Sequence, residues 1–224
     1  MRLFHVLRIG ALAAAVCLCI QGQNTPSKDA QTEAKGMPPR PSPAEYQDHA
    51  QAGAVTIAAE CTGRSVPTLL GPLATEDYVA IEIGFFGPPG ARATISSTDF
   101  SLRINGKKPL PSQPFGLVVE SVKDPEWAPP EPVVPKQKTV LNSGEPSAPA
   151  ADSKNNPPPP PKVPIEIQRG WAQRVQKVAL PEGDRLLPQA GLIFFQYRGK
   201  IERIDSMELT YVGPAGKATL RLQP

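Results

Sequence analysis

The sequence predicts a mainly β protein: one antiparallel β-sandwich of about eight strands, with one or two short helices and a long disordered proline-rich insertion. Three observations predict it. From Ala54 onward, apolar residues recur with period two in short stretches, as they do in strands with one buried face. Turn-forming Gly, Pro and Asn residues separate those stretches. Four or five of them precede the proline-rich segment and only three follow it, too few to make a stable sheet on either side alone. The two flanks are therefore expected to complete one domain.

Taken in chain order, residues 1–22 read as an export signal. "MRLFHVLR" supplies a basic start through Arg2 and Arg8, "IGALAAAVCLCI" is a short apolar run, and Gly22 with Ile20 marks a cleavage point. A lipid-modified cysteine is a poor fit, since Val16 precedes Cys17 and Leu18 precedes Cys19. Residues 23–42 lack periodicity and read as a flexible leader. Ser42, Pro43 and Glu45 have the spacing of a helix N-terminus, and Gly53 can end that helix, so a short helix is expected at about 43–51.

The strands follow. Val79, Ile81, Ile83 and Phe85 alternate in "YVAIEIGFF", Phe100, Leu102 and Ile104 in "FSLRI", and Phe115, Leu117 and Val119 in "FGLVVESV". "GPPG" at 87–90 is a turn, and Asn105-Gly106 is the favoured pair for a type I′ hairpin because both central residues must accept positive φ. Thirteen of the 29 prolines then fall between Asp124 and Pro164, and the loop is placed at about 125–163. Beyond it, Ile167, Trp171, Val175 and Val178 have helical spacing and predict a helix over about 165–180. "AGLIFFQY" reads as a strand covered on both faces. "SMELTYV" and "KATLRLQ" close the domain around a "GPAG" turn at 213–216. The sandwich domain thus spans 43–224.

Charge and composition offer little chemistry. The full chain carries +3, and loss of Arg2 and Arg8 with the signal leaves the mature chain near neutrality. That gives no electrostatic case for nucleic acid or for an anionic membrane, and no stable membrane insertion is expected after signal removal. Cys61 is the one cysteine outside the signal, so no internal disulfide is available, and its apolar setting predicts a core residue. His49 is expected on the surface of the short helix. Glu60, Glu82, Asp99 and Glu120 are scattered, and nothing in their spacing pairs them. No nucleophile elbow, phosphate loop, dinucleotide fingerprint or metal-ligand cluster occurs, so no catalytic, cofactor-binding or metal residue is assigned. Lys107-Lys108 and the helix cations Arg169, Arg174 and Lys177 read as solvated charged faces. Trp127 and Trp171 border the insertion and are expected to pin its two ends to the domain. Pro157, Pro160 and Lys162 satisfy a PxxPxK docking pattern, though any proline run followed by Lys does so, and a stiff solvated loop is the preferred reading.

Two blocks carry a resemblance. "YVAIEIGFFGPPGARATISSTDFSLRINGKK", with its Asp99-Phe100 pair, resembles the front half of secreted bacterial immunoglobulin-like domains of unknown function. "LPEGDRLLPQAGLIFFQY" with "SMELTYVGPAGKATLRL" resembles their closing half, and the "LPEGD" and "FFQYRGK" blocks are similar to exported bacterial proteins of unknown function. The resemblance covers residues 54–123 and 165–224. It implies an immunoglobulin-like sandwich and supplies no catalytic or binding residues. The proline-rich insertion and the helix before the closing strands depart from it. The expectation from the whole sequence is an exported, periplasmic or extracellular, non-catalytic binding or structural protein of the bacterial cell envelope. Its expected partner is an envelope protein or a cell-surface polymer, and no cofactor is implied. The alternative is a secreted hydrolase or carbohydrate-active enzyme using paired carboxylates.

Overall fold

The computed structural model describes residues 35–129 and 163–224. The expected signal, the first part of the leader and the PxxPxK pattern lie outside the described residues, as does the loop between 130 and 162. In chain order the strands of the first half are β1 (Asp48–Ala52), β2 (Val55–Gly63), β3 (Ser65–Val66), β4 (Leu73–Thr75), β5 (Tyr78–Phe86), β6 (Arg92–Ile95), β7 (Phe100–Ile104) and β8 (Leu110–Gln113). A one-turn helix α1 (Phe115–Val118) and the short β9 (Val122–Lys123) follow. The second half contributes helix α2 (Ile165–Val178), β10 (Gly183–Leu186), β11 (Gln189–Gln196), β12 (Met207–Gly213) and β13 (Gly216–Leu222).

The protein is mainly β, and its strand pairs are antiparallel. Eight strands form one sheet in the order β1-β2-β5-β11-β8-β7-β12-β13. Strand β11 from the second half therefore sits between β5 and β8 of the first, with Ile193 opposite Ile81 and Phe194 opposite Gln113. The sheet curls until its outer strands meet: the Arg221 amide of β13 donates to the Asp48 carboxylate of β1 at 2.7 Å. Alternate residues from seven of these strands point into the space so enclosed. Ile57, Val79, Ile81, Ile83, Phe85, Leu102, Phe195, Leu209 and Leu220 are all buried there. Phe85, Phe100 and Tyr211 meet with ring centroids 5.1–6.0 Å apart, in the tilted and edge-on arrangements that aromatic quadrupoles favour.

The outer face of β5 and β11 is covered too, which explains their near-continuous apolar sequences. Trp171, Val175 and Val178 of α2 pack on Tyr78, Ala80, Leu192 and Phe194, together with Val66, Leu73, Val118 and Val122 around the three-stranded sheet β3-β4-β9. Next along, Ala58, Gly84 and Ala190 stand in register across β2, β5 and β11. These small side chains leave room for residues 35–46. The Met37 amide donates to the Ala190 carbonyl at 2.7 Å, and a Cβ on Gly84 would meet the Tyr46 ring. Residues 35–42, expected to belong to a flexible leader, are thus laid against the sheet.

Two elements differ from the sequence expectation. The helix expected over 43–51 is only a 3-10 turn, Pro43–Glu45, followed by β1. The Ser42 side chain makes no capping bond. A cap is worth about 1 kcal/mol, whereas β1 gains a five-residue ladder on β2 through a two-residue turn in which Gly53 takes φ +60°. His49 consequently lies on a strand, where it is exposed. The strand expected at 115–122 is α1 plus a 3-10 turn, Val119–Ser121. Here the buried side chain is Val118, and Leu117, a member of the supposed inward face, is 53% exposed. The period-two pattern was accidental, because Pro114 starts a corner that takes the chain from β8 to β9.

Other local readings hold. Asn105 and Gly106 take φ of +50° and +67°, and α2 spans Ile165–Val178. Gly213 faces Gly216 across the last hairpin.

Candidate functional site

The carboxylates named from sequence separate into three groups. Glu60 and Glu82 are direct cross-strand neighbours on the outer face of β2 and β5. Two adjacent carboxylates on a covered sheet face repel each other, and the side chain of Glu82 is only 7% exposed. Arg40 resolves the conflict. Its Nη2 donates to Glu82 Oε2 at 2.8 Å and its Nε to Oε1 at 3.3 Å, while Nη1 pairs with Glu60 and donates to the Glu45 carbonyl at 2.6 Å. The guanidinium also stacks 4.6 Å from the Tyr46 ring centroid. Hydrogen bonding to Glu82 drives the Arg40 pKa further up, against the opposing effect of burial, and burial pushes the Tyr46 phenol to about 12.

Asp99 belongs to a second group. Its carboxyl is raised, by burial first and by Glu182 second. Ser97 occupies Glu182, donating through its hydroxyl at 2.6 Å and its amide at 3.2 Å. A cleft of about 250 Å3 opens beside Ser97, Glu182, Gln113 and residues Leu192–Phe194 of β11. Glu120 is exposed and joins neither group. Cys61 is partly buried at a bulge in β2, and burial raises its thiol. Among the described residues, no cluster of three or more His, Cys, Asp or Glu side chains has the arrangement of a metal site. No described helix is long and apolar enough to cross a membrane.

A second concave surface lies elsewhere. A groove of about 370 Å3 runs between the segment Gly36–Pro38, the turn Pro67–Leu70 and the last turns of α2, where Arg174, Lys177 and Val178 line it. Its walls are apolar apart from Thr68, Arg174 and Lys177. Leu69 and Leu70 stand at its rim 92% and 77% exposed.

Arg174 holds this rim. Expected to be a solvated helix cation, it is instead largely buried, with Nε donating to Thr68 Oγ1 at 3.2 Å. Its Nη1 donates to Asp124 Oδ2 at 2.7 Å, and Nη2 donates to the carbonyls of Leu70 and Gly71 at 3.1 and 2.9 Å. The turn closes on itself as well. Thr68 Oγ1 donates to the Gly71 carbonyl at 2.5 Å, the Leu70 amide donates back to Thr68 Oγ1, and Gly71 takes φ +96°. Asp124 is drawn below its ordinary value by its bond to Arg174. Just beyond it Trp127 meets Trp171 edge-on at 6.0 Å, so the two tryptophans pack on each other from either side of residues 130–162 in sequence.

The groove was missed in sequence, although one signal for it exists. Arg174 falls three residues after Trp171 and four before Val178, inside the apolar stripe of α2 rather than opposite it. A cation there requires a partner, and that partner is the 68–71 turn. Comparison with protein-family models, curated proteins and solved structures gives no match.

Proposed function

We propose that this protein is an exported, non-catalytic binding module of the cell envelope and that the groove beside α2 is where it binds. One observation carries the reading. Leu69 and Leu70 are held out in solvent by a turn that Arg174 and Thr68 tie down through six hydrogen bonds. Apolar surface fixed outward beside an apolar groove is poorly explained by folding and well explained by contact with a partner. Holding the turn in advance lowers the entropy lost on binding. The export-signal reading of residues 1–22 supports placement in the envelope, and the resemblance to secreted immunoglobulin-like domains agrees with it. We read the curled sheet as such a sandwich, with β8 shared between a layer containing β11 and a layer containing β7, since β8 pairs with both.

Glu60 and Glu82 are the carboxylates that the fold brings side by side, and both are bound by Arg40, which favours a structural role over acid–base chemistry. The test uses mature protein crosslinked in an envelope extract beside a Leu69→Asp/Leu70→Asp variant. A partner captured by the first and lost with the second is expected. Robust turnover of a glycan or ester substrate, abolished by Glu82→Gln in a variant that still folds, would overturn the reading.

A further inference from the structure

The groove carries a charge pattern as well as an apolar lining, and together they specify the chemistry of its occupant. Of its two lining cations, Arg174 is already neutralised by Asp124. Lys177 is exposed and has no ion-pair partner among the described residues. Lys35 lies at the same rim: it directly precedes Gly36 of the lining, and its amide bonds the carbonyl of Gln176, the neighbour of Lys177. Among the described residues, no carboxylate lines the groove. An occupant therefore meets aliphatic walls from Met37, Leu69, Leu70 and Val178 and, beside them, positive charge that has no counter-ion among the described residues.

From this we infer that the groove binds a peptide segment of a partner protein in which an aliphatic or aromatic side chain stands next to a carboxylate. The apolar side chain enters between Leu69, Leu70 and Val178, and the carboxylate comes to Lys177. Apolar burial supplies the affinity, and the unpaired lysine supplies the preference for acid and the salt dependence. A membrane surface fits less well. The apolar surface is concave, with lining on three sides, and only an inserted side chain reaches it, whereas a bilayer would contact the projecting leucines and leave the groove empty.

This inference rests on the binding reading above, and the experiment separates the two. A phage-displayed library of random 12-residue peptides is selected on the immobilised full chain, and selected sequences are synthesised and titrated by fluorescence anisotropy. Peptides pairing an apolar residue with Asp or Glu are expected. Leu70→Asp should weaken them about tenfold, the loss typical of a contact residue. Lys177→Glu should weaken them by a comparable factor and shift preference toward Lys-bearing peptides, while circular dichroism and the melting temperature stay unchanged because both side chains are exposed. Selected peptides that lack acids, or that bind Lys177→Glu equally well, would overturn the inference. The binding reading would still stand if the extract partner is lost with Leu69→Asp/Leu70→Asp. Vesicles of phosphatidylglycerol provide the other arm: sedimentation with them, abolished by the same double substitution and accompanied by no peptide selection, would assign the surface to lipid and overturn the peptide proposal.

Discussion

Arg40 and Arg174 perform the same task at two places, each satisfying carboxylate and carbonyl acceptors that the strands and turns around them leave exposed to repulsion or desolvation. Removing Arg40 leaves Glu82 buried beside Glu60 with no counter-ion. Arg40→Met should therefore destabilise the protein by about 3 kcal/mol, the low end for a broken buried pair because Arg40 itself is partly exposed. Adding Glu60→Gln and Glu82→Gln should recover most of that loss, since the charge that needed a partner is gone. Urea denaturation of the single and triple variants reads both effects, and equal losses would place the effect in packing rather than charge. At Arg174 the readout is pH. Asp124 is depressed in the folded state, so its contribution is complete above its unfolded value near pH 4 and is lost as pH falls through its lower folded value. The stability difference between wild type and Asp124→Asn should accordingly be constant above about pH 5 and shrink on acidification below pH 4. A difference that grows below pH 4 would mean the pairing is wrong. Neither arginine announced its partner in sequence, because both partnerships join residues far apart along the chain: Arg40 with Glu82, and Arg174 with Thr68.

Elements whose identity depends on local pattern were legible, and those decided by long-range pairing were not. Strand β11 could be read from its unbroken apolar run, and the Asn105-Gly106 turn from its backbone requirement. The asparagine does more than the turn needs: its side-chain oxygen accepts from the amides of Asp205 and Ser206 and its Nδ2 donates to the Arg203 carbonyl at 2.8 Å, tying the hairpin to the start of β12. By contrast, β10 has no apolar alternation and is a strand because Gly183–Leu186 pairs with Arg92–Ile95. Residues 43–52 carry good helix-start signals and yield to the ladder with β2. Helix α2 is legible as a helix, but which of its residues are buried depends on what it covers. Ile167, counted in the sequence stripe, is 36% exposed, whereas Trp171 is buried against Val66, Leu73 and Phe194 in the outer cluster. Trp171→Ala should cost about 3–5 kcal/mol, and Ile167→Ala less than 1 kcal/mol, the gap between a core truncation and an ordinary surface change. Thermal melts of the two variants check this. Similar losses would show that α2 sits on the sheet through a different face.

On the scale of the whole molecule, strand order makes the two halves of the chain dependent on each other. Strand β11 pairs along its length with β5, about a hundred residues earlier, and its other edge is covered in turn by Met37, Ala179 and β8. Without β11, the first half exposes the inner and outer faces of β5 at an open edge. Without the first half, which supplies both β5 and β8, the apolar run from Ala190 to Phe195 has no strand ladder on either side, and an unpaired apolar strand is prone to aggregate. Gly36 shows how closely the halves fit: a Cβ there would fall on the Ala190 carbonyl of β11, which cannot move aside as a flexible side chain would. The expected consequence is that a single cut between 130 and 162 leaves one folded unit. Fragments ending near Pro129 and beginning near Val163 should co-purify under native conditions and melt in one transition. Expressed separately, each should be unfolded or insoluble, and mixing them should restore the native circular dichroism spectrum slowly, since pairings so distant along the chain form late. Gly36→Ala in the first fragment should weaken that reassembly, because its Cβ would meet the Ala190 carbonyl of the second. Two fragments that separate, each with its own cooperative melt, would show that the interleaved sheet is not the unit of folding.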